Sequence, residues 1–131
     1  MGILIFQLPT SMGPERWPDL RRGYVTGMDR IPERVLAEFR QGMMIVHRDR
    51  IESGHVHVPW PVAGFGLPMV ATATLVESER PYDLLVELAR GKLNDVLNQA
   101  ADWRHLGLRV HKELDEELRQ ARRAFSEEAN I

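Results

Sequence analysis

The chain has 131 residues, of which 44% are hydrophobic, and its 17 basic and 19 acidic side chains give a formal net charge of -2. This length leaves room for one ordinary domain with one core, and the absence of a basic excess argues against a nucleic-acid partner. Because the chain has no cysteine, disulfides, thiolate metal sites and cysteine nucleophiles are excluded.

The first half of the sequence, residues 1–79, has the pattern of a β-rich region. Alternating or β-branched residues bounded by glycine and proline indicate five or six short strands. The predicted strands span residues 3–8, 23–26, 34–40, 43–47, 55–58 and 67–76. Gln41-Gly42 supplies a glycine that can adopt positive φ, so we expect a hairpin there. A second turn is expected over residues 49–54, and the proline- and glycine-rich stretch 10–32 excludes a long helix.

No segment has the composition of a signal peptide or of a membrane span. The apolar stretch at residues 2–8 lacks a basic start and a small-residue cleavage pattern. No run reaches the roughly 18 apolar residues that a span requires. The sequence therefore predicts no membrane contact and, by default, a cytoplasmic location.

From about residue 80 the hydrophobic period changes from two to 3.6, which predicts an antiparallel helical hairpin over residues 80–131. Pro81 suits the first turn of the first helix. One long apolar face of this helix is expected to be buried, namely Tyr82, Leu85, Val86, Ala89, Leu93, Val96, Leu97, Ala100 and Trp103. The second helix is expected to place Val110, Leu114, Leu118, Ala121 and Phe125 at helical spacing, with an exposed Asp115–Arg119 pair.

A smaller stripe of Leu84, Leu88 and Gly91 lies nearly opposite that long face. Glycine costs about 1 kcal/mol relative to alanine inside a helix, and close approach by another backbone would justify Gly91. We therefore predict that Leu84, Leu88 and Gly91 contact a partner. The predicted fold class is α+β, with an antiparallel β-meander or sandwich followed by the helical hairpin, in a single domain over residues 1–131.

Three histidines form the one grouping that resembles a metal site. His55 and His57 share a face of a predicted strand, and His47 on the preceding strand is a candidate third ligand. Two histidines at this spacing are a weak signal, because any exposed strand face can hold them. We favour structural or solvent-facing roles, and we predict neither a metal nor a cofactor.

Four aromatic residues fall in loops or at strand ends of the β-rich half, where they could form a platform for a sugar ring or a peptide: Trp17, Tyr24, Trp60 and Phe65. Trp60 lies between two prolines, which limits its conformational freedom and lowers the ordering cost of binding. The simpler alternative is that Trp60 closes the end of the β core, because large aromatic side chains are usually mostly buried.

Motifs for catalysis are missing from the sequence. Gly64-Phe65-Gly66 lacks the third glycine of a dinucleotide loop, and there is no phosphate-binding Gly-Lys-Ser/Thr loop. The serines occur in no nucleophile elbow. We therefore predict no catalytic residues.

Several segments together carry a resemblance to a known family. They are Gly23-Tyr24-Val25-Thr26-Gly27-Met28-Asp29-Arg30-Ile31-Pro32, Glu52-Ser53-Gly54-His55-Val56-His57-Val58-Pro59-Trp60-Pro61-Val62, Thr72-Ala73-Thr74-Leu75, and the helical stretch from Arg80-Pro81-Tyr82 to Asp102-Trp103. In this order they resemble the N-terminal region of planctomycete xylanase-like proteins, which are related to family 10 glycoside hydrolases. The resemblance implies an accessory domain, with any hydrolytic barrel lying downstream.

Such a barrel cannot fit in this chain, because a (β/α)8 barrel needs about 250 residues. Two hypotheses therefore stay open. The chain is a non-catalytic accessory domain that binds carbohydrate, or it is a structural or oligomerisation module that packs against a downstream domain or a second copy.

Overall fold

The computed structural model describes residues 2–13, 15, 17–27, 29, 31–33, 35–48, 53–78, 80–109 and 111–129. The strands are β1 (Gly2–Gln7), β2 (Tyr24–Thr26), β3 (Pro32–Glu33), β4 (Val35–Arg40), β5 (Met43–Arg48), β6 (His55–Pro59), β7 (Met69–Ala71) and β8 (Tyr82–Asp83). The helices are α1 (Trp17–Leu20), α2 (Leu84–His105) and α3 (Lys112–Ala129).

The described strands form two four-stranded sheets. The first sheet has the order β4-β5-β1-β8, and the second has the order β3-β2-β6-β7. All pairs are antiparallel except β1 and β8, which run parallel. The α+β class and the C-terminal helical hairpin predicted from the sequence are confirmed.

Both sheets contribute to one core. Leu4 and Phe6 alternate with outward-facing residues along β1 and are fully buried, and Met44 and Val46 do the same on β5. The second sheet adds Val25, Val56 and Val58. This alternation is the period-two pattern that predicted the strands.

The hairpin between β4 and β5 forms at the predicted two-residue turn. Gln41 and Gly42 both have positive φ, at 51° and 75°, and Arg40 pairs with Met43. Positive φ at both central residues is the geometry of a type I′ turn, whose twist matches that of the strands. The prediction for Gly42 is confirmed.

Other predicted boundaries change. The strand predicted over 67–76 is reduced to Met69–Ala71, because beyond it the Thr72 hydroxyl accepts the Val56 N–H at 3.1 Å in place of a strand carbonyl. The short helix α1 forms within the stretch predicted to be loop. Residues 49–52 of the predicted turn, together with Arg34 and Val110, lie outside the described residues.

A buried ion pair joins the two sheets. The Arg48 side chain is completely buried on β5 of the first sheet, and it donates from Nε and Nη2 to the two Glu33 carboxylate oxygens at 3.1 and 2.9 Å. Glu33 belongs to β3 of the second sheet, where it pairs with Val25. Two parallel charge-assisted bonds fix both distance and orientation. The pair therefore sets how the sheets meet.

Helix α2 begins at Leu84, later than the start near Pro81 that the sequence predicts. Tyr82 and Asp83 extend the first sheet as β8, and the Asp83 carboxylate accepts the Val86 N–H at 3.2 Å as the N-cap. Pro81 therefore precedes the helix and does not lie in its first turn. The cap satisfies a backbone donor that has no partner within the helix.

The small stripe of α2, not its long apolar face, faces the sheets. Leu84 and Leu88 are 0% and 2% exposed, and Gly91 is also buried. The long face is only partly covered, with Leu85 and Trp103 47% and 41% exposed. The sequence-based prediction that the long face is buried is therefore wrong, whereas Leu84, Leu88 and Gly91, predicted to contact a partner, are buried within the chain itself.

The reason is the close contact at Gly91. A Cβ atom there would lie 2.2 Å from the Ala71 carbonyl oxygen and 2.5 Å from the Thr72 carbonyl carbon. The predicted approach of another backbone is confirmed, but that backbone is the chain's own segment after β7. Only glycine allows α2 to lie this close to the second sheet.

Helix α3 packs antiparallel on α2. The Arg90 guanidinium lies 5.3 Å from the Phe125 ring centroid, and at the opposite end Arg104 forms an ion pair with Asp115. The predicted Asp115–Arg119 pair is wrong, because Arg119 bonds instead to Glu116. Among the described residues, neither helix combines the length and the apolar character needed to cross a membrane.

The ion pair between the sheets can be tested by mutation. Glu33→Gln removes the carboxylate that accepts from both Nε and Nη2 of the buried Arg48 guanidinium, so we expect the free energy of unfolding, measured by urea denaturation, to fall by about 3 kcal/mol. Glu33→Met combined with Arg48→Met should recover most of this loss. Glu38→Gln weakens the solvent-screened pairs with Arg40 and His47 and should lower the free energy of unfolding far less than Glu33→Gln does. Equal losses at Glu33 and Glu38 would contradict the assignment.

A second prediction concerns Gly91. Although alanine favours helix by about 1 kcal/mol, Gly91→Ala forces α2 away from the backbone of residues 71–73, and we expect a net loss of about 2 kcal/mol. Thermal unfolding followed by circular dichroism measures it. The exposed Asn94→Ala on the same helix should be neutral or slightly stabilising. A Gly91→Ala protein as stable as the wild type would show that the contact is absent.

Candidate functional site

The four aromatic residues predicted to form a platform are separated in the structure. The Trp17 ring stacks on Phe39, with centroids 5.2 Å apart, and packs against the core. The Tyr24 ring stacks on His57 of the second sheet at 4.5 Å. Trp60 and Phe65 line one cavity together, and Tyr24 lines a different one. The structure therefore offers two candidate surfaces in the β-rich half, one at Trp60 and Phe65 and one at Tyr24.

The first surface is an apolar groove of about 420 Å³ between the loop after β6 and the start of α2. Its lining includes Trp60, Phe65, Met69, Leu85, Ala89 and Lys92. Trp60 is half-buried and contacts the core, which agrees with the simpler expectation that it closes the end of the core, yet one side of it still lines the groove.

A tight turn presents Phe65 at the rim of this groove. The Val62 N–H donates to the Gly66 carbonyl at 3.0 Å, and the Phe65 N–H donates to the Val62 carbonyl at 2.9 Å. Gly64 and Gly66 have φ of 84° and 74°, values that suit glycine. As a result the Phe65 side chain is 80% exposed.

The groove is an exposed apolar patch. Phe65, Met69 and Leu85 keep between 47% and 80% of their surface accessible, and Lys92 supplies the charged side chain of the lining. Single exposed apolar residues are ordinary, but several grouped around one concavity mark binding surfaces.

The second surface is a polar cleft of about 290 Å³ over the second sheet. Its chemistry comes from Tyr24, Thr26, His55, His57 and Asp95. The two histidines lie on one face of β6, as predicted, because Val56 and Val58 fill the opposite, buried face. Asp95 comes from α2, one turn beyond Gly91, so the close seating of the helix brings a carboxylate to the cleft.

Hydrogen bonds hold both imidazoles in place. The His57 Nε2 lies 2.9 Å from the Thr26 hydroxyl, and the His55 Nδ1 lies 3.1 Å from the Thr72 carbonyl oxygen. Because that oxygen only accepts, His55 donates from Nδ1. The other His55 nitrogen lies 3.2 Å from the Thr74 hydroxyl. These histidines are engaged with the sheet itself.

His47 does not join them. It lies on β5 of the first sheet, with Nε2 3.2 Å from Glu38. Across the part of the chain that the structure describes, no group of three or more His, Asp or Glu side chains is arranged to hold a metal ion. The three-histidine hypothesis is therefore not supported by the placement of His47.

A third cavity, of about 370 Å³, lies beside α2 near α3 and continues along the helix from the apolar groove. Lys92 lines both cavities, and Val96, Gln99 and Trp103 line the third. One side of α2 therefore stays accessible from the Phe65 loop towards the far end of the helix.

Sequence reasoning did not identify Met69, Leu85 or Asp95 as site residues. The sequence does contain a signal for Asp95, because this residue continues the stripe of Leu84, Leu88 and Gly91 by a further four residues. Met69 and Leu85 gave no such signal, since each reads as an ordinary core residue of its element.

Comparison of the chain with protein-family models, with curated proteins and with solved structures finds no match.

The cleft predicts a pH dependence. Burial, and then the neighbouring His55, lower the pKa of His57 below its ordinary 6.5, whereas Asp95 raises it. As the pH falls, His57 therefore becomes protonated in the unfolded chain before it does so in the folded protein. The free energy of unfolding begins to fall near pH 6.5, and the fall is complete once the pH is below the pKa that His57 has in the folded protein. Denaturant unfolding between neutral and mildly acidic pH should show this loss, and His57→Gln should diminish it.

An NMR titration of the His57 ring separates the causes of this shift. Asp95→Asn should lower its pKa further, and His55→Gln should raise it towards 6.5. Shifts in the opposite directions would contradict the arrangement of the cleft.

Proposed function

We propose that this chain is a non-catalytic accessory domain that binds another protein surface through the apolar groove. The observation that carries the proposal is the exposure of Phe65, Met69 and Leu85 around one concavity. Aromatic and methionine side chains of this kind form the centres of protein interfaces.

The chemistry of the groove favours a protein over a sugar. Sugar hydroxyl groups that lose water must regain hydrogen bonds, or binding is weak. Among the described residues that line the groove, Lys92 alone carries a charged side chain, and aliphatic, aromatic, methionine and proline side chains make up the rest. An apolar partner surface therefore complements this groove better than a carbohydrate does.

The resemblance to the N-terminal regions of xylanase-like proteins is compatible with this role. An accessory domain of that kind needs a surface on which to contact its neighbour. Within the proposal, Trp60 and Phe65 provide this contact.

The accessibility of the groove is testable with an apolar probe. Phe65→Ser with Leu85→Ser removes two exposed side chains and should change the free energy of unfolding by no more than about 1 kcal/mol. We expect the folded wild type, at a protein concentration too low for self-association, to bind anilinonaphthalene sulfonate with a fluorescence increase, and the double variant to lose most of it.

Leu36→Ser is the matched control, because Leu36 is 69% exposed on the outer face of the first sheet, away from the groove. It should leave probe binding unchanged. No binding to the folded wild type under these dilute conditions, or equal losses in the control and the double variant, would contradict the proposal.

A second candidate is carbohydrate binding at the polar cleft. The specific observation is that Tyr24 is surrounded by hydroxyl, imidazole and carboxylate groups, a mixture that suits a neutral polyol. Titration with xylo-oligosaccharides, followed by amide NMR shifts, should move the signals of residues 24–26 and 55–57 in the wild type and not in Tyr24→Ala. Unmoved wild-type signals at millimolar ligand would remove this candidate.

A further inference from the structure

We propose that the protein surface bound by the groove belongs to a second copy of this chain, with α2 packed antiparallel against α2 of that copy. This inference rests on the proposed function and names its partner. It follows from three features of the accessible side of α2, taken in turn: its spacing, its symmetry and its charges.

The accessible side of α2 has the spacing of a helix-pairing seam. Its members follow one another at intervals of four, three, four, three and four residues: Leu85, Ala89, Lys92, Val96, Gln99 and Trp103. Sequence intervals that alternate between three and four residues keep one line of side chains, here called the seam, facing a neighbouring helix. Helix α3 does not cover this seam, because Leu85 and Trp103 at its two ends remain 47% and 41% exposed.

The seam is complementary to itself when reversed. In a two-fold symmetric interface, residue i contacts j of the second copy and j contacts i. An antiparallel pairing centred between Lys92 and Val96 places Leu85 opposite Trp103 of the second copy, and Ala89 opposite Gln99. Each Trp103 then meets the apolar groove of the other copy, which Trp60, Phe65 and Leu85 line.

The charges agree with this register. Lys92 and Asp95 both line the accessible side of α2, and the antiparallel pairing brings Lys92 to the level of Asp95 in the second copy. The contact occurs twice, once on each side of the symmetry axis. A parallel pairing would instead place each Lys92 opposite Lys92, which is unfavourable.

Cysteine pairing tests the register, since the chain has no cysteine of its own. Ala89→Cys and Gln99→Cys are made separately, so Leu85 and Trp103 remain in place. Within one helix the two positions are about 15 Å apart along the axis. We expect rapid disulfide formation when the two variants are mixed under mild oxidation, and little in either variant alone. Cross-linking of one variant with itself, without the mixed product, would overturn the antiparallel register.

Analytical ultracentrifugation tests the contact without cysteine. We expect a wild-type dimer whose dissociation constant rises at least about tenfold in Lys92→Glu and in Asp95→Lys. The combined charge exchange should restore it to near the wild-type value. Lys112→Glu, an exposed change at the start of α3, should leave dimerisation unchanged.

The outcomes separate this inference from the proposed function. A wild-type chain that stays monomeric at high concentration while its groove still binds the apolar probe would overturn the dimer and leave docking to a different protein. A monomer whose groove binds no probe would overturn both.

Discussion

A buried guanidinium and a largely buried carboxylate determine how the two sheets of this protein meet. Arg48 follows Met44 and Val46 on the inward face of β5, a position where the alternation would place another apolar side chain. Glu33 reaches it from the second sheet. Because an unpaired charge inside a core is far more costly than a paired one, arrangements of the sheets that separate these two groups are strongly disfavoured.

The relation of α2 to the sheets follows from a similar constraint, imposed by the missing side chain of Gly91. The helix lies on the second sheet through its narrow stripe, so its wider apolar side turns away. That side is then divided between α3 and the accessible seam. The groove at Trp60 and Phe65, the polar cleft with Asp95 and the proposed dimer contact all depend on this one orientation of the helix.

Much of this fold could be predicted from local pattern. The strands β1, β4, β5 and β6, the Gln41-Gly42 turn and the change of period near residue 80 all follow from nearest-neighbour spacing. Pattern alone does not predict which face of α2 is buried, because the larger apolar face has the stronger hydrophobic signal, whereas the close backbone contact at Gly91 turns the smaller stripe inward. The separation of the aromatic residues Trp17, Tyr24 and Trp60 could not be predicted from the sequence either, because their relative positions depend on how the two sheets meet.

The parallel pairing of β1 with β8 has a consequence for how the chain reaches its native state. In this pairing Phe6 lies beside Tyr82, although the two residues are far apart in sequence. Such non-local contacts slow folding, because a long loop must close before they can form. During synthesis, β1 is made early and stays unpaired on one edge until residues 82–83 leave the ribosome. Completion of the first sheet therefore waits for the two residues that lead directly into α2, so the β-rich half can finish folding only just before the helix that covers it is made.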